Sequence, residues 1–227
     1  MEWDEEVTAE KILKIVVCGD SASGKTSVCR RFVQDYFDRQ YQQTVGLDFL
    51  SKRLTLPGNV PVLLQIWDIG GQSIASPMLG KYISGAHGAL VVYDVTSSSS
   101  FENLKDWIDI MKEYAKPQEK PIVLMLVGNK TDLEHRRSVR IERHTKFAIQ
   151  NSMFNHYVSA KTGDSVLLMF RKLAAEILGI PLEENDKDAD IAIVKAYVTI
   201  PTESEAKVSQ RQTNTDQSRN TAVCSLM

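Results

Sequence analysis

Lys14-Ile15-Val16-Val17-Cys18-Gly19-Asp20-Ser21-Ala22-Ser23-Gly24-Lys25-Thr26 reads as a short apolar strand that runs into a glycine-punctuated turn, with a helical stretch from Lys25 to Phe32 behind it. Gly19 and Gly24 let the backbone turn tightly, so that successive N–H groups face inward and suit phosphate oxygens. The helix adds the positive end of its dipole at the same point. Lys25 has the reach for the outer phosphates of a nucleotide, and the Thr26 hydroxyl suits Mg²⁺. Strand, phosphate loop and helix in that order predict an α/β fold.

The flanking sequence continues the alternation. Leu47 to Leu56 and Val62 to Trp67 flank Pro57-Gly58-Asn59, which reads as a hairpin. Ala89 to Tyr93 and Ile122 to Val127 are almost unbroken apolar runs, as central parallel strands covered on both faces require. Between them, Phe101, Leu104, Trp107, Ile108 and Met111 carry helical spacing over Phe101 to Ala115, with Ser100 available as N-cap and Pro117 beyond the end. His156 to Ser159 predicts a last short strand and Val166 to Leu178 a last helix before Gly179 and Pro181. The sum is a doubly wound, six-stranded, mostly parallel sheet with one antiparallel edge strand and helices on both faces.

A phosphate loop does not choose a base, but Asn129-Lys130-Thr131-Asp132, directly after a buried strand, can. A carboxylate there accepts from the ring N–H and the exocyclic amine of guanine, a donor pair that adenine lacks, and such matched polar contacts discriminate by orders of magnitude. Ser159-Ala160-Lys161 stands where a second base loop is needed, while Thr44 and Asp68-Ile69-Gly70-Gly71-Gln72 lie between the phosphate loop and the base loops.

These five segments, in this order, resemble the Ras superfamily of small GTPases over roughly Lys11 to Leu178. Gly85 to Thr96, Ser100 to Leu104, and the setting of Thr44-Val45-Gly46-Leu47-Asp48-Phe49 are similar to the Rab family. The resemblance implies GTP and GDP as substrate and product and Mg²⁺ as cofactor. It places nucleotide contacts on Gly19, Asp20, Ser21, Ala22, Ser23, Gly24, Lys25, Thr26 and Ser27. Further contacts fall on Phe37, which stacks on the base, on Tyr41, Thr44 and Gly71, and on Asn129, Lys130, Asp132, Ser159, Ala160 and Lys161. Metal contacts fall on Thr26, Thr44 and Asp68. In catalysis Gln72 orients the attacking water, with Lys25 and Gly71 at the γ-phosphate.

Phosphoryl transfer of this kind is positioning plus charge stabilisation, and without an outside arginine turnover is slow, on the order of 10⁻⁴ per second. G-protein α subunits carry an arginine three residues before the switch threonine. Tyr41 stands there in this chain, and Arg39, out of register, reads as an exposed charge. The resemblance therefore implies a separate GTPase-activating protein, an exchange factor, and effectors reading Phe49, Trp67 and Tyr82. The alternative is a poorly hydrolysing, nucleotide-dependent scaffold; a phosphate-loop ATPase or kinase is a third reading.

The chain departs from most Rabs at Ile69, Gly70 and Ser73 to Leu79. With a tail ending Cys224-Ser225-Leu226-Met227, it is similar to one divergent branch of the family, associated with cilia and with sensory or photoreceptor cells. Gly70 beside Gly71 frees the backbone at that turn, which predicts an unusually large rearrangement of residues 69 to 82 between the GDP and GTP states.

The 227 residues suit one α/β domain plus a tail. A formal charge of -2 and a pI near 6.1 exclude a basic footprint, so no nucleic-acid partner is assigned, and a monomer is expected. Three cysteines fit a reduced compartment, Cys18 and Cys29 as packing residues. The division is a flexible N-terminus over 1–10, a GTPase domain over 11–180 and a disordered tail over 181–227. Cys224 fits a prenylation box with farnesyl preferred, which implies a prenyl-binding chaperone, a cytosolic pool and a pool on the cytoplasmic face of membranes, at the ciliary base and cilium by resemblance. Ile191 to Val194 interrupts the polar tail as a docking segment for escort proteins or as one that folds back.

Overall fold

The computed structural model describes residues 9–115 and 121–182. The expected tail beyond residue 182, with Cys224 and Ile191 to Val194, lies outside them, as does most of the N-terminal segment. Six strands form one sheet in the order β2-β3-β1-β4-β5-β6. They are β1 (Lys11–Cys18), β2 (Leu47–Leu56), β3 (Val60–Ile69), β4 (Gly88–Asp94), β5 (Val123–Asn129) and β6 (Phe154–Tyr157). Only β2 runs antiparallel, pairing with β3 from Leu47↔Ile69 to Leu56↔Val60. The remaining pairings are parallel. This is the expected sheet.

The period of two along β1 divides the core. Leu13, Ile15 and Val17 pack on one face with α1 (Lys25–Gln34) and α6 (Val166–Leu178). Val16 and Cys18 pack on the other with α2 (Leu79–Ile83), α3 (Ser98–Glu102), α4 (Leu104–Ala115) and α5 (Ile141–Gln150). All seven residues of β4 are buried, as a central parallel strand requires. Cys18 and Cys29 are free and buried, and burial pushes the Cys18 thiol up to about 12, so both act as packing residues.

Three local expectations change. The stretch from 101 to 115 belongs to two helices, α3 and α4, with Asn103 between them, and Ser97 rather than Ser100 caps the first by accepting from Ser100 N. Ser100 turns inward instead, its hydroxyl accepting from Asp94 N at 3.1 Å and donating to Ser97 O at 2.9 Å. The last strand lies two residues earlier than expected, although Val158 N still bonds Gly128 O at 2.9 Å just beyond it. Helix α5 is an addition. Among the described residues no helix is long and apolar enough to cross a membrane.

Candidate functional site

Parallel strands bring their C-terminal ends to one edge, and the loops leaving β1, β3, β5 and β6 meet there. The first closes on itself. Gly19 (φ 131°), Ala22 (φ 61°) and Gly24 (φ 90°) all adopt left-handed backbone. A side chain on Gly19 would run into the Val92 carbonyl, and one on Gly24 into the Asn129 amide. Both glycines are thus required for the close approach as well as for the turn. Helix α1 starts at Lys25 with Gly24 as N-cap, no capping side chain and no acidic residue in its first turn, so its positive end opens into the cleft. Lys25 is buried, donates from Nζ to Asp20 O at 2.8 Å, and has its pKa lowered first by that burial.

The cleft has a volume of about 310 Å³. Of the residues expected at a nucleotide, Ser21, Ala22, Gly24, Lys25, Thr26, Ser27, Phe37, Tyr41, Thr44, Gly71, Asn129, Lys130, Asp132, Ala160 and Lys161 line it. Gly19, Asp20, Ser23 and Ser159 are not among the lining residues, but the last three bond to residues that are: Asp20 to Lys25, Ser23 to Asn129 and Ser159 to Asp132. Arg39 is exposed, as expected, and lines the cleft as well, together with Arg30. Gln72 is exposed on a 3₁₀ turn over Gly71–Ala75 and is not among the lining residues.

The base loops are tied to the phosphate loop by side chains. Asn129 is buried, donates from Nδ2 to Ser23 O at 2.9 Å and accepts on Oδ1 from Ala160 N at 3.2 Å, so one amide joins three loops. Lys130, at φ 69°, donates to Ala22 O at 2.9 Å and pairs with Asp94 at 2.7 Å. Asp132 accepts from Ser159 Oγ at 2.7 Å, with Lys161 Nζ 3.7 Å from its other oxygen.

On the opposite side, the Thr26 hydroxyl donates to Asp68 Oδ2 at 2.5 Å and lies 2.7 Å from the Thr44 hydroxyl. Asp68 Oδ1 is buried without a hydrogen-bond partner. Burial first raises the Asp68 pKa to about 6, against the Thr26 hydrogen bond and the Lys25 charge that lower it. One carboxylate and two hydroxyls, all hard oxygen donors, with an unsatisfied carboxylate oxygen among them, fit a small divalent cation of the Mg²⁺ type.

The sequence left three supports unread. Arg31 donates from Nε to Ala160 O and from Nη2 to Lys161 O, both at 2.9 Å, and so fastens the Ser159–Lys161 loop to α1. Asp94 accepts from Thr96 N and Oγ1 at 2.8 Å while holding Lys130. Asn103 Nδ2 donates to Asp20 Oδ2 at 2.7 Å. Of the aromatic residues expected to meet effectors, Phe49 is 52% exposed and lies edge-on to Trp67 at 5.8 Å. Trp67 also carries the Lys14 ammonium 3.8 Å over its ring, and both it and Tyr82 pack against the underlying core.

A six-stranded sheet of this order, with a glycine-turned loop at the start of α1 and with Asp132 and the Thr26–Thr44–Asp68 oxygens gathered around one cleft, is the architecture of a guanine-nucleotide-type P-loop protein. Residues 14–179 match the Ras family. The Ras-related protein Rab-28 of Caenorhabditis elegans is 52% identical over 218 residues, which cover 96% of this chain and 87% of that relative. The chain belongs to the Ras family of small GTPases, is Rab-28-like within it, and is a GTP hydrolase. That relative's branch of the Rabs, numbered twenty-eight, is the divergent one the sequence resembles. Members of the Ras family use GTP, GDP and Mg²⁺, and Rabs work with exchange factors, activating proteins and effectors on membranes.

Proposed function

We propose that the chain is a Rab-like switch whose GTP-bound form recruits effectors in membrane trafficking, ciliary trafficking included. The carrying observation is the convergence on one cleft of Lys25, Asp132 held by Ser159, and the Thr26–Thr44–Asp68 cluster. The domain that does this spans 11–180.

In this reading Asp132 accepts from the guanine edge, Phe37 packs on the base and the Ala160 amide meets the guanine oxygen. Residues 19–27 and Tyr41 surround the phosphates, and Lys25 exchanges its carbonyl partner for phosphate oxygens. Thr26, Thr44 and, behind them, Asp68 hold Mg²⁺, which neutralises charge on the phosphates when bound. Gly71 offers its amide to the terminal phosphate. Gln72 turns in from its exposed position to orient water, which makes its arrival part of the slow step that an activating protein speeds. Phe49, Trp67 and Tyr82 supply the effector face. Where the translated chain ends at Met227, Cys224 carries one prenyl group, a reversible anchor that leaves a chaperone-bound cytosolic pool.

Competition between GTP and ATP for the purified protein in magnesium buffer, followed by single-turnover hydrolysis with and without Gln72→Leu, tests this. Retention of GTP but not ATP, with slower turnover in the variant, supports it. Equal retention of both nucleotides removes the base assignment.

A further inference from the structure

Gly70 sits at φ −56° and ψ 135°, a conformation open to every residue. Backbone freedom is therefore not what glycine supplies at this position in this state. A side chain on Gly70 would instead fall inside contact distance of the Thr44 carbonyl oxygen and 3.3 Å from the Gly46 carbonyl oxygen. Both obstacles are backbone atoms, with no flexible end to swing aside.

The same two segments are also bonded. Gly70 N donates to Gly46 O at 2.9 Å, and the Ser73 hydroxyl donates to that same oxygen at 3.1 Å. Ser73 is 7% exposed, so its bond is shielded from water. Gly46 itself lies at φ 72°, left-handed backbone that glycine adopts freely, and its carbonyl accepts from both donors. Two residues N-terminal to it, the Thr44 hydroxyl lies 2.7 Å from that of Thr26.

We infer that Gly70 and Ser73 are positioning residues that clasp the Thr44–Gly46 segment and hold the Thr44 hydroxyl at the metal side of the cleft. The inference rests on the reading of Thr44 as a magnesium ligand. Mg²⁺ demands near-ideal octahedral distances, so a displacement of a few tenths of an ångström removes a ligand oxygen. Gly70→Ala forces such a displacement through the Thr44 carbonyl. Ser73→Ala loosens the clasp without adding volume.

The test is release of a fluorescent GTP analogue from the full chain as free Mg²⁺ is titrated, for Ser73→Ala and Gly70→Ala, each alone and combined with Thr44→Ala. Thr44→Ala by itself is expected to raise the Mg²⁺ concentration that half-maximally slows release. Ser73→Ala is expected to raise it about fivefold, the size of one net neutral hydrogen bond, and Gly70→Ala by at least as much. In the Thr44→Ala background neither adds a further shift.

A shift that persists undiminished in that background overturns the clasp, because the residues then act through something other than Thr44. No shift from either variant, while Thr44→Ala does shift, overturns the clasp and leaves the reading of Thr44 standing. No shift from Thr44→Ala sinks that reading and the clasp with it. Should Gly70→Ala fail to fold, Ser73→Ala alone carries each of these outcomes.

Discussion

The Ser159 hydroxyl donates to Asp132 Oδ1 at 2.7 Å and also accepts from Thr162 N at 3.2 Å, so the carboxylate on one base loop is oriented by a residue that its own loop anchors. Two loops separated by a helix and a strand are thereby set in register, which in the proposed reading preorganises the contact to guanine. Asp132→Ala is expected to collapse the preference for GTP over ATP by several orders of magnitude, since a site built to bond a donor pair loses its acceptor. Ser159→Ala leaves the acceptor but frees its rotation, and weakens GTP by roughly fivefold to tenfold. Competition binding with both nucleotides checks the order of the two effects. Equal losses would show that Ser159 does more than orient.

Arg31 predicts a different phenotype. Its guanidinium bonds the carbonyls of Ala160 and Lys161, and through Nη1 the carbonyl and side chain of Asp35, with the side chain only 17% exposed. Arg31→Ala should speed GDP release by about tenfold or more, from the loss of charge-assisted bonds to a base loop, without altering its Mg²⁺ dependence. Arg31→Lys should not rescue it, because a point charge cannot span two carbonyls as a planar fork does. Stopped-flow release at two magnesium concentrations measures both.

Acid stability follows from two histidines, His144 buried and His156 half-buried. His144 has Nδ1 2.9 Å from the Tyr93 hydroxyl and stacks on Tyr157 at 4.3 Å. Burial first, then Arg137 and His156, holds its pKa at about 4; burial first, then Lys172, does the same for His156. Both stay neutral in the native protein while the unfolded chain takes up protons below about pH 6.5. The unfolded state thus binds more protons between about 6.5 and 4, and stability falls as pH drops through that window. Each histidine contributes up to about 1.4 kcal/mol per pH unit. His144→Gln, which keeps an acceptor for Tyr93, should roughly halve the slope of denaturant-derived stability against pH. An unchanged slope would assign the acid sensitivity elsewhere.

The sheet was legible because its strands obey simple periods, and the phosphate and base loops because their chemistry is local. Helix α5 was not, for a physical reason. Two of its apolar residues, Ile141 and Ile149, are 53% and 71% exposed, whereas its inward face carries the polar His144 beside Phe147 and Ala148. Apolar residues on both faces therefore blur the helical period there. The N-cap at Ser97 was hidden in a run of four serines, any of which can cap; the bonds of Ser100 to Asp94 and Ser97 decide it. Arg31 could not be read at all, since its partners are main-chain carbonyls 129 and 130 residues away. The glycine at 70 was read for its torsional freedom between nucleotide states; in this structure its backbone angles are ordinary, and what shows is the close approach that its missing side chain allows.

A glycine one residue beyond the altered segment makes the last case. Gly80 lies inside α2, where alanine is ordinarily better by roughly 0.5–1 kcal/mol. A Cβ there would meet the Tyr114 ring of α4 at 2.5 Å. Tyr114 is 40% exposed, so its ring can move aside, but only by giving up its packing over the short helix. Gly80→Ala should therefore be neutral or destabilising in the natural sequence and stabilising, by about 0.5–1 kcal/mol, once Tyr114→Ala has removed the obstacle. Thermal or urea unfolding of the four proteins in that cycle measures the coupling directly. Additivity would mean that α2 is not held against Tyr114 in solution, and that residues 79 to 83 move independently of the helix beneath them.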